Sequence, residues 1–203
     1  MQFNGFQLHP AALDTETQSR IVAAALAAAE SAPLHHQQTP GGKAMSVAQT
    51  SFGPYGWVAD RTGYRYAPRH PLTDEPWPPM PDELLGLWDR FAGGAAPPDS
   101  CLINLYRGAA KMGLHQDMDE GDLTAPVISI SLGDTAVFRL GGVNRSDPTR
   151  SFRLASGDVC LLAGASRRAF HGVDRILPGS SQLVPGGGRI NLTLRRAKGQ
   201  GRP

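Results

Sequence analysis

From residue 100 onward, short apolar runs alternate with turn signals. "CLINLY", "VISISL", "AVFRL", "SFRLA", "VCLLA" and "INLTLR" read as strands, and "LGD", "GGVNRSDP" and "ASGD" as the turns between them. Regular short strands over a hundred residues predict a sandwich, jelly roll or small barrel. The first half has a different texture. Thr15 and Gln18 have capping-box spacing ahead of an alanine-rich amphipathic helix that ends near Ser31-Ala32-Pro33. Residues 35–66 are polar and Gly-rich, with strand-like pieces in "AMSVAQT" and "YRYA". Six prolines between Pro68 and Pro81 exclude a regular element there. Asp82 then caps a short helix, "ELLGLWDRFA". The pattern predicts an irregular region with helices over 1–99 and a β core over 100–203, together one compact, mainly β (α+β) domain. The last residues, "AKGQGRP", read as a frayed tail. No internal repeat is visible.

Composition narrows the class. With 203 residues, 40% of them hydrophobic, the chain can bury one domain core. The 17 prolines, 24 glycines and 19% charged residues suit strands and turns better than a helical bundle. A net charge of +2 permits an anionic partner without pointing to one. Cys101 and Cys160 lie far apart in apolar company and read as buried thiols in a reducing compartment. No basic n-region opens the chain, and "IVAAALAAA" is too short to span a bilayer, so the expectation is a soluble cytoplasmic protein without a membrane partner.

Candidate chemistry begins at "KMGLHQDMDE". Residues two apart on a strand share a face, so His115 and Asp117 are expected to point into the β core together. His171 follows in "RRAFHGV". Two histidines and one carboxylate on a face of an octahedron form the usual grip for non-haem Fe(II) in oxygenases, although the triplet alone also fits other metal cupins. The C-terminal strand decides between them. In "RINLTLRR", Arg189, Asn191, Thr193 and Arg195 recur with period two, while Ile190, Leu192 and Leu194 take the opposite face. Two guanidiniums on a buried face require anions. A dicarboxylate such as 2-oxoglutarate satisfies both through bidentate forks, and its keto acid end also chelates iron. Asn104 and Tyr106 share a face of "CLINLY" and are candidate donors to the same ligand.

These residues carry a resemblance. "HQDMDE", "FHGV" and "RINLTLR", with "NLY" upstream, resemble the AlkB-type nucleic-acid dealkylases, which are Fe(II)/2-oxoglutarate dioxygenases with a double-stranded β-helix (jelly-roll, cupin-like) core. The likeness runs through "TPGGKAMSVAQT", "GPYGW", "GYRYAP", "PWPPMP", "SISLG" and "GGVNRSDP", from Thr39 to Arg195. It implies an N-terminal helix and a nucleotide-recognition lid. It implies iron on His115, Asp117 and His171, with 2-oxoglutarate held by Arg189 and Arg195 and assisted by Asn104, Tyr106 and Asn191. With O2, that site hydroxylates an N-alkyl group of a base such as 1-methyladenine or 3-methylcytosine and releases it as an aldehyde. The resemblance places the base between Trp57 and the His115 ring, with Asp119 at its exocyclic amine. Glu120 adds negative charge that suits a cationic alkylated base. Tyr64, Thr39, Lys43 and Arg145 are further candidates for contacts to substrate or its backbone. A monomer acting on single-stranded DNA is expected, with double-stranded DNA and RNA as further substrates. A dioxygenase of the same core acting on a small molecule, protein side chain or structured RNA is the alternative. Lys43, Gln49, Met118 and Leu162 depart from the family pattern, which puts substrate range and affinity in doubt rather than the iron chemistry.

Overall fold

The computed structural model describes residues 2, 3 and 5–198, and the tail beyond 198 lies outside them. In chain order the elements are β1 (Gln2–Phe3), β2 (Phe6–His9), α1 (Thr15–Ser31), β3 (Ala48–Phe52), β4 (Gly56–Asp60), β5 (Gly63–Ala67) and α2 (Asp82–Phe91). There follow β6 (Ser100–Tyr106), β7 (Met112–His115), β8 (Val127–Gly133), β9 (Thr135–Leu140), β10 (Arg150–Leu154) and β11 (Val159–Leu162). A 3-10 turn (Gly164–Arg168), β12 (His171–Leu177) and β13 (Arg189–Arg195) complete the chain.

Two antiparallel sheets face each other in the jelly-roll manner. The major sheet runs β1-β2-β11-β8-β13-β6-β3 and the minor one β10-β9-β12-β7, with β4-β5 as a separate hairpin. On the outer face of the major sheet, Ile190, Leu192 and Leu194 pack with Ile21 and Val22 of α1 and Leu84 and Trp88 of α2. Between the sheets, Phe6, Phe138, Leu140, Leu154, Leu162 and Val173 form a second buried cluster. Burying each such side chain contributes about 1.5–3 kcal/mol. No helix among the described residues is long and apolar enough to cross a membrane.

Two expectations are corrected. The capping box expected from Thr15 and Gln18 does not form. Asp14 caps α1 by accepting from the Thr17 N–H at 2.7 Å, because its carboxylate is the stronger acceptor at that position. Gln18 instead donates to the Leu13 carbonyl and accepts from Ser156 Oγ. Asp82 is the first residue of α2 rather than its cap, which is Pro81. The regions 1–99 and 100–203 share the major sheet, since β2 pairs with β11 and β3 with β6. Asp158 reinforces that junction by accepting from the Ala11 N–H at 2.9 Å.

Candidate active site

A cavity of about 1000 Å³ opens between the sheets under the β4-β5 hairpin. Antiparallel pairing of β12 with β7 puts His171 opposite His115, and their rings sit 4.4 Å apart. Strand β7 ends at His115, so Asp117 lies just past the strand and not on its face as expected. The chain nevertheless turns its carboxylate inward. Asp117 Oδ1 is 3.6 Å from His115 Nε2, and Oδ2 is 3.8 Å from His171 Nε2. One donor atom from each residue lies within 4.8 Å of the others.

The donor set suits a divalent metal. His115 Nδ1 is 3.0 Å from the Gly113 carbonyl and His171 Nδ1 is 3.0 Å from the Ala169 carbonyl. A carbonyl only accepts, so each neutral ring keeps its proton on Nδ1 and turns the Nε2 lone pair toward the cluster. Burial, and then neighbouring His115, push the His171 pKa down to about 4, which keeps that imidazole uncharged. Burial opposes ionisation of Asp117, but Arg195, His171 and His115 together hold its carboxyl below the ordinary range.

The period-two face of β13 looks into this cavity as expected: Arg189, Asn191, Thr193 and Arg195 all line it. Its two arginines are not equivalent. Arg195 has carboxylates of its own, with Nη2 3.0 Å from Asp117 Oδ2 and Nε 3.3 Å from Glu120 Oε1. Arg189 is 1% exposed and donates from Nη2 to Ser131 Oγ at 3.0 Å, while its Nε and Nη1 have no hydrogen-bond partner among the described residues. A buried cation with two idle donors is costly unless an anion completes it. Arg189 lines the cavity wall beside Tyr106 and Asn191. Register with β6 sets Tyr106 beside Arg189 and Asn104 beside Asn191. The Arg189 guanidinium lies 5.3 Å from the Tyr106 ring centroid. The Asn191 amide donates to Ser129 Oγ and the Ile130 carbonyl, so it braces β13 on β8.

Above the His-Asp-His cluster, Trp57 stacks on Tyr64 with centroids 5.4 Å apart, and its indole N–H donates to Asp119 Oδ2 at 2.8 Å. Thr39, Lys43 and Met118 also line the cavity. Thr39 Oγ1 accepts from the Lys43 N–H, and Arg145 Nη1 donates to the Leu114 carbonyl at 2.9 Å. Glu120 differs from expectation. Its side chain is 2% exposed, with Oε2 on Arg167 at 3.1 Å and Oε1 accepting from Tyr66 Oη at 2.6 Å. It therefore pairs with buried arginines while also lining the cavity. Arg167 and Tyr66 escaped the sequence reading because their partner lies far along the chain and no spacing announces it. Gln37, Ser129 and Ser131 were missed as well, although the alternation in "VISISL" carries the two serines to one face.

The model of the 2OG-Fe(II) oxygenase superfamily matches residues 5–195. The alpha-ketoglutarate-dependent dioxygenase AlkB homolog of Caulobacter vibrioides is 64% identical over 194 residues, covering 96% of this chain and 88% of that protein. The alpha-ketoglutarate-dependent dioxygenase AlkB of Escherichia coli is 44% identical over 173 residues, 83% of this chain and 80% of its own. Among solved structures, OsALKBH1 superposes with a TM-score of 0.78 at 29% identity, covering 96% of this chain and 99% of that one.

Proposed function

This chain belongs to the AlkB group of the 2OG-Fe(II) oxygenase superfamily, and from that membership we propose a role for each residue of the cavity. The protein is an Fe(II)- and 2-oxoglutarate-dependent dioxygenase that dealkylates nucleic-acid bases oxidatively. In the proposed assignment His115, Asp117 and His171 hold the iron, and Arg189 receives the distal carboxylate of 2-oxoglutarate. Arg195, shared with Asp117, steadies the keto acid end, and Asn104 and Tyr106 line the remaining wall. The observation that carries this reading is the pairing, in one cavity, of the His-Asp-His cluster with the idle buried donors of Arg189.

Fe(II), dioxygen and 2-oxoglutarate supply the oxidant that hydroxylates the alkyl carbon, with succinate and carbon dioxide as co-products. The hydroxylated carbon is a hemiaminal, which falls apart to an aldehyde and the restored base. Protein residues do the positioning. Trp57 offers the face on which an unstacked base lies, and stacking of that kind contributes about 1–3 kcal/mol per base. Asp119 holds the indole and brings negative charge to a base that is cationic when alkylated on a pairing nitrogen. The 1-methyladenine and 3-methylcytosine class fits this slot, with Tyr64, Thr39 and Arg145 at its mouth toward the backbone. The substrate we favour is single-stranded DNA bound by a monomer, since a modest +2 charge supports no long duplex footprint. Cytoplasmic residence follows the same reading, supported by two buried free thiols.

Mass spectrometry of a single-stranded oligonucleotide bearing one 1-methyladenine tests it. With protein, Fe(II) and 2-oxoglutarate the methyl is lost, and omitting either or substituting His115→Ala preserves it. Succinate formed while the methyl stays would move the substrate elsewhere.

A further inference from the structure

Three buried carboxamides connect the hairpin that carries Trp57 to the cavity wall. Gln37, Gln49 and Asn104 are 3%, 1% and 3% exposed. The Ala59 N–H donates to Gln37 Oε1. Gln37 Nε2 donates to the Trp57 carbonyl at 3.1 Å and to Gln49 Oε1 at 3.2 Å. Gln49 Nε2 in turn donates to Asn104 Oδ1 at 2.7 Å.

The two ends of a carboxamide have the same shape, so a chain of them takes its direction only from partners that cannot be reversed. Both such partners here are backbone groups of β4. The Ala59 N–H can only donate and the Trp57 carbonyl can only accept. They fix Gln37, Gln37 fixes Gln49, and Gln49 fixes Asn104. With Oδ1 occupied, Asn104 turns its Nδ2 donors away from Gln49. Asn104 lies on the cavity wall, two residues along β6 from the Tyr106 that pairs with Arg189.

We propose that Gln49, backed by Gln37, is a positioning residue for the cosubstrate. It locks Asn104 with N–H donors facing the cavity, so that a carboxylate of 2-oxoglutarate meets donors and not an oxygen. The inference rests on the reading that this cavity takes 2-oxoglutarate. It also makes the backbone that places Trp57 the origin of the orientation. Because buried amides gain strength from full mutual satisfaction, the three act as one unit.

The test is 2-oxoglutarate affinity by calorimetry, on full-length protein loaded with Mn(II) in place of iron. Thermal unfolding and Mn(II) affinity are measured alongside. Gln49→Met, close in volume and apolar, leaves Asn104 free to turn and weakens 2-oxoglutarate by on the order of tenfold, the worth of one hydrogen bond to a charged group. Gln49→Glu weakens it further, because a carboxylate only accepts and therefore reverses Asn104. Gln37→Met gives a smaller loss, and Gln37→Met with Gln49→Met equals Gln49→Met alone instead of the product. Mn(II) affinity stays unchanged in each. Should Gln49→Met not fold, Gln37→Met carries the same comparison. Variants that bind 2-oxoglutarate within twofold of wild type overturn the relay. A parallel loss of Mn(II) affinity also overturns it, by making Gln49 merely structural. Wild-type protein that takes Mn(II) but no 2-oxoglutarate removes the cavity reading itself, and the relay with it.

Discussion

Trp57 donates its indole N–H to Asp119 Oδ2 across 2.8 Å, a bond that ties strand β4 to the loop following Asp117. The indole is thereby oriented by a residue two positions from Asp117. The aromatic plane and the negative charge arrive as a single unit.

Trp57→Phe and Trp57→Ala separate the two parts of that unit. Loss of the ring removes about 1–3 kcal/mol of stacking, so Trp57→Ala raises KM for a methylated oligonucleotide by on the order of 10–100-fold. Trp57→Phe keeps a stacking face and loses only the donor, so its KM rises by a small factor while kcat falls through poorer alignment. Steady-state kinetics with saturating 2-oxoglutarate distinguishes the cases. Equal effects of the two substitutions would remove the hydrogen bond from the account.

Arg189→Met acts oppositely on the free and liganded protein. Its guanidinium is 1% exposed with idle Nε and Nη1, and burial lowers its pKa. Replacing an incompletely paired buried cation by an apolar side chain is often neutral or stabilising. The ligand-free variant should therefore unfold at or above the wild-type Tm. Wild-type protein gains about 2.7 kcal/mol at a 2-oxoglutarate concentration of 100 Kd, and the variant gains nothing. Thermal scans with and without 2-oxoglutarate read both effects. A variant that is still stabilised by 2-oxoglutarate would place the carboxylate elsewhere.

Glu120→Ala is a stability mutation, not a specificity mutation. The carboxylate neutralises Arg167 and approaches Arg195, so its loss leaves buried Arg167 without its counterion and Arg195 with Asp117 alone, at a cost of about 3–5 kcal/mol. Tyr66→Phe removes one bond to the same carboxylate and costs about 1–3 kcal/mol. Urea unfolding measures both. Near wild-type stability of Glu120→Ala, with altered preference among lesions, would return Glu120 to the substrate.

What local spacing governs was legible in the sequence. Alternation in "RINLTLR" announced which side chains of β13 share a face, and each of those four residues lines the cavity. The His-x-Asp spacing announced a shared site, although β7 ends at His115 and a turn, not a strand face, delivers Asp117. Long-range partners left no such mark. Glu120 lies opposite Arg167 and Arg195 only because the jelly roll brings the ends of several strands together. Likewise Gln37 meets Gln49 and the β4 backbone through a fold-back across residues 37–59. Burial, not spacing, turned Glu120 from a solvated acid into a structural counterion.

The salt dependence of nucleic-acid binding is the last expectation and turns on Met118. Its side chain is 43% exposed at the cavity mouth, beside Asp117 and Asp119. A neutral side chain there neutralises no phosphate and releases no counterion. Met118→Lys supplies one cation at an exposed position, where a flexible ammonium can reach a phosphate without burial cost. For a single strand, each added phosphate contact steepens the fall of log Kobs with log salt by about 0.7. The variant should therefore bind a methylated oligonucleotide more tightly at low salt and lose the advantage as salt rises. Turnover of a methylated mononucleoside, which has no phosphate to meet, stays unchanged. Titrations across a salt series give the slope directly, and a slope equal to that of wild type would mean that the strand does not pass over Met118.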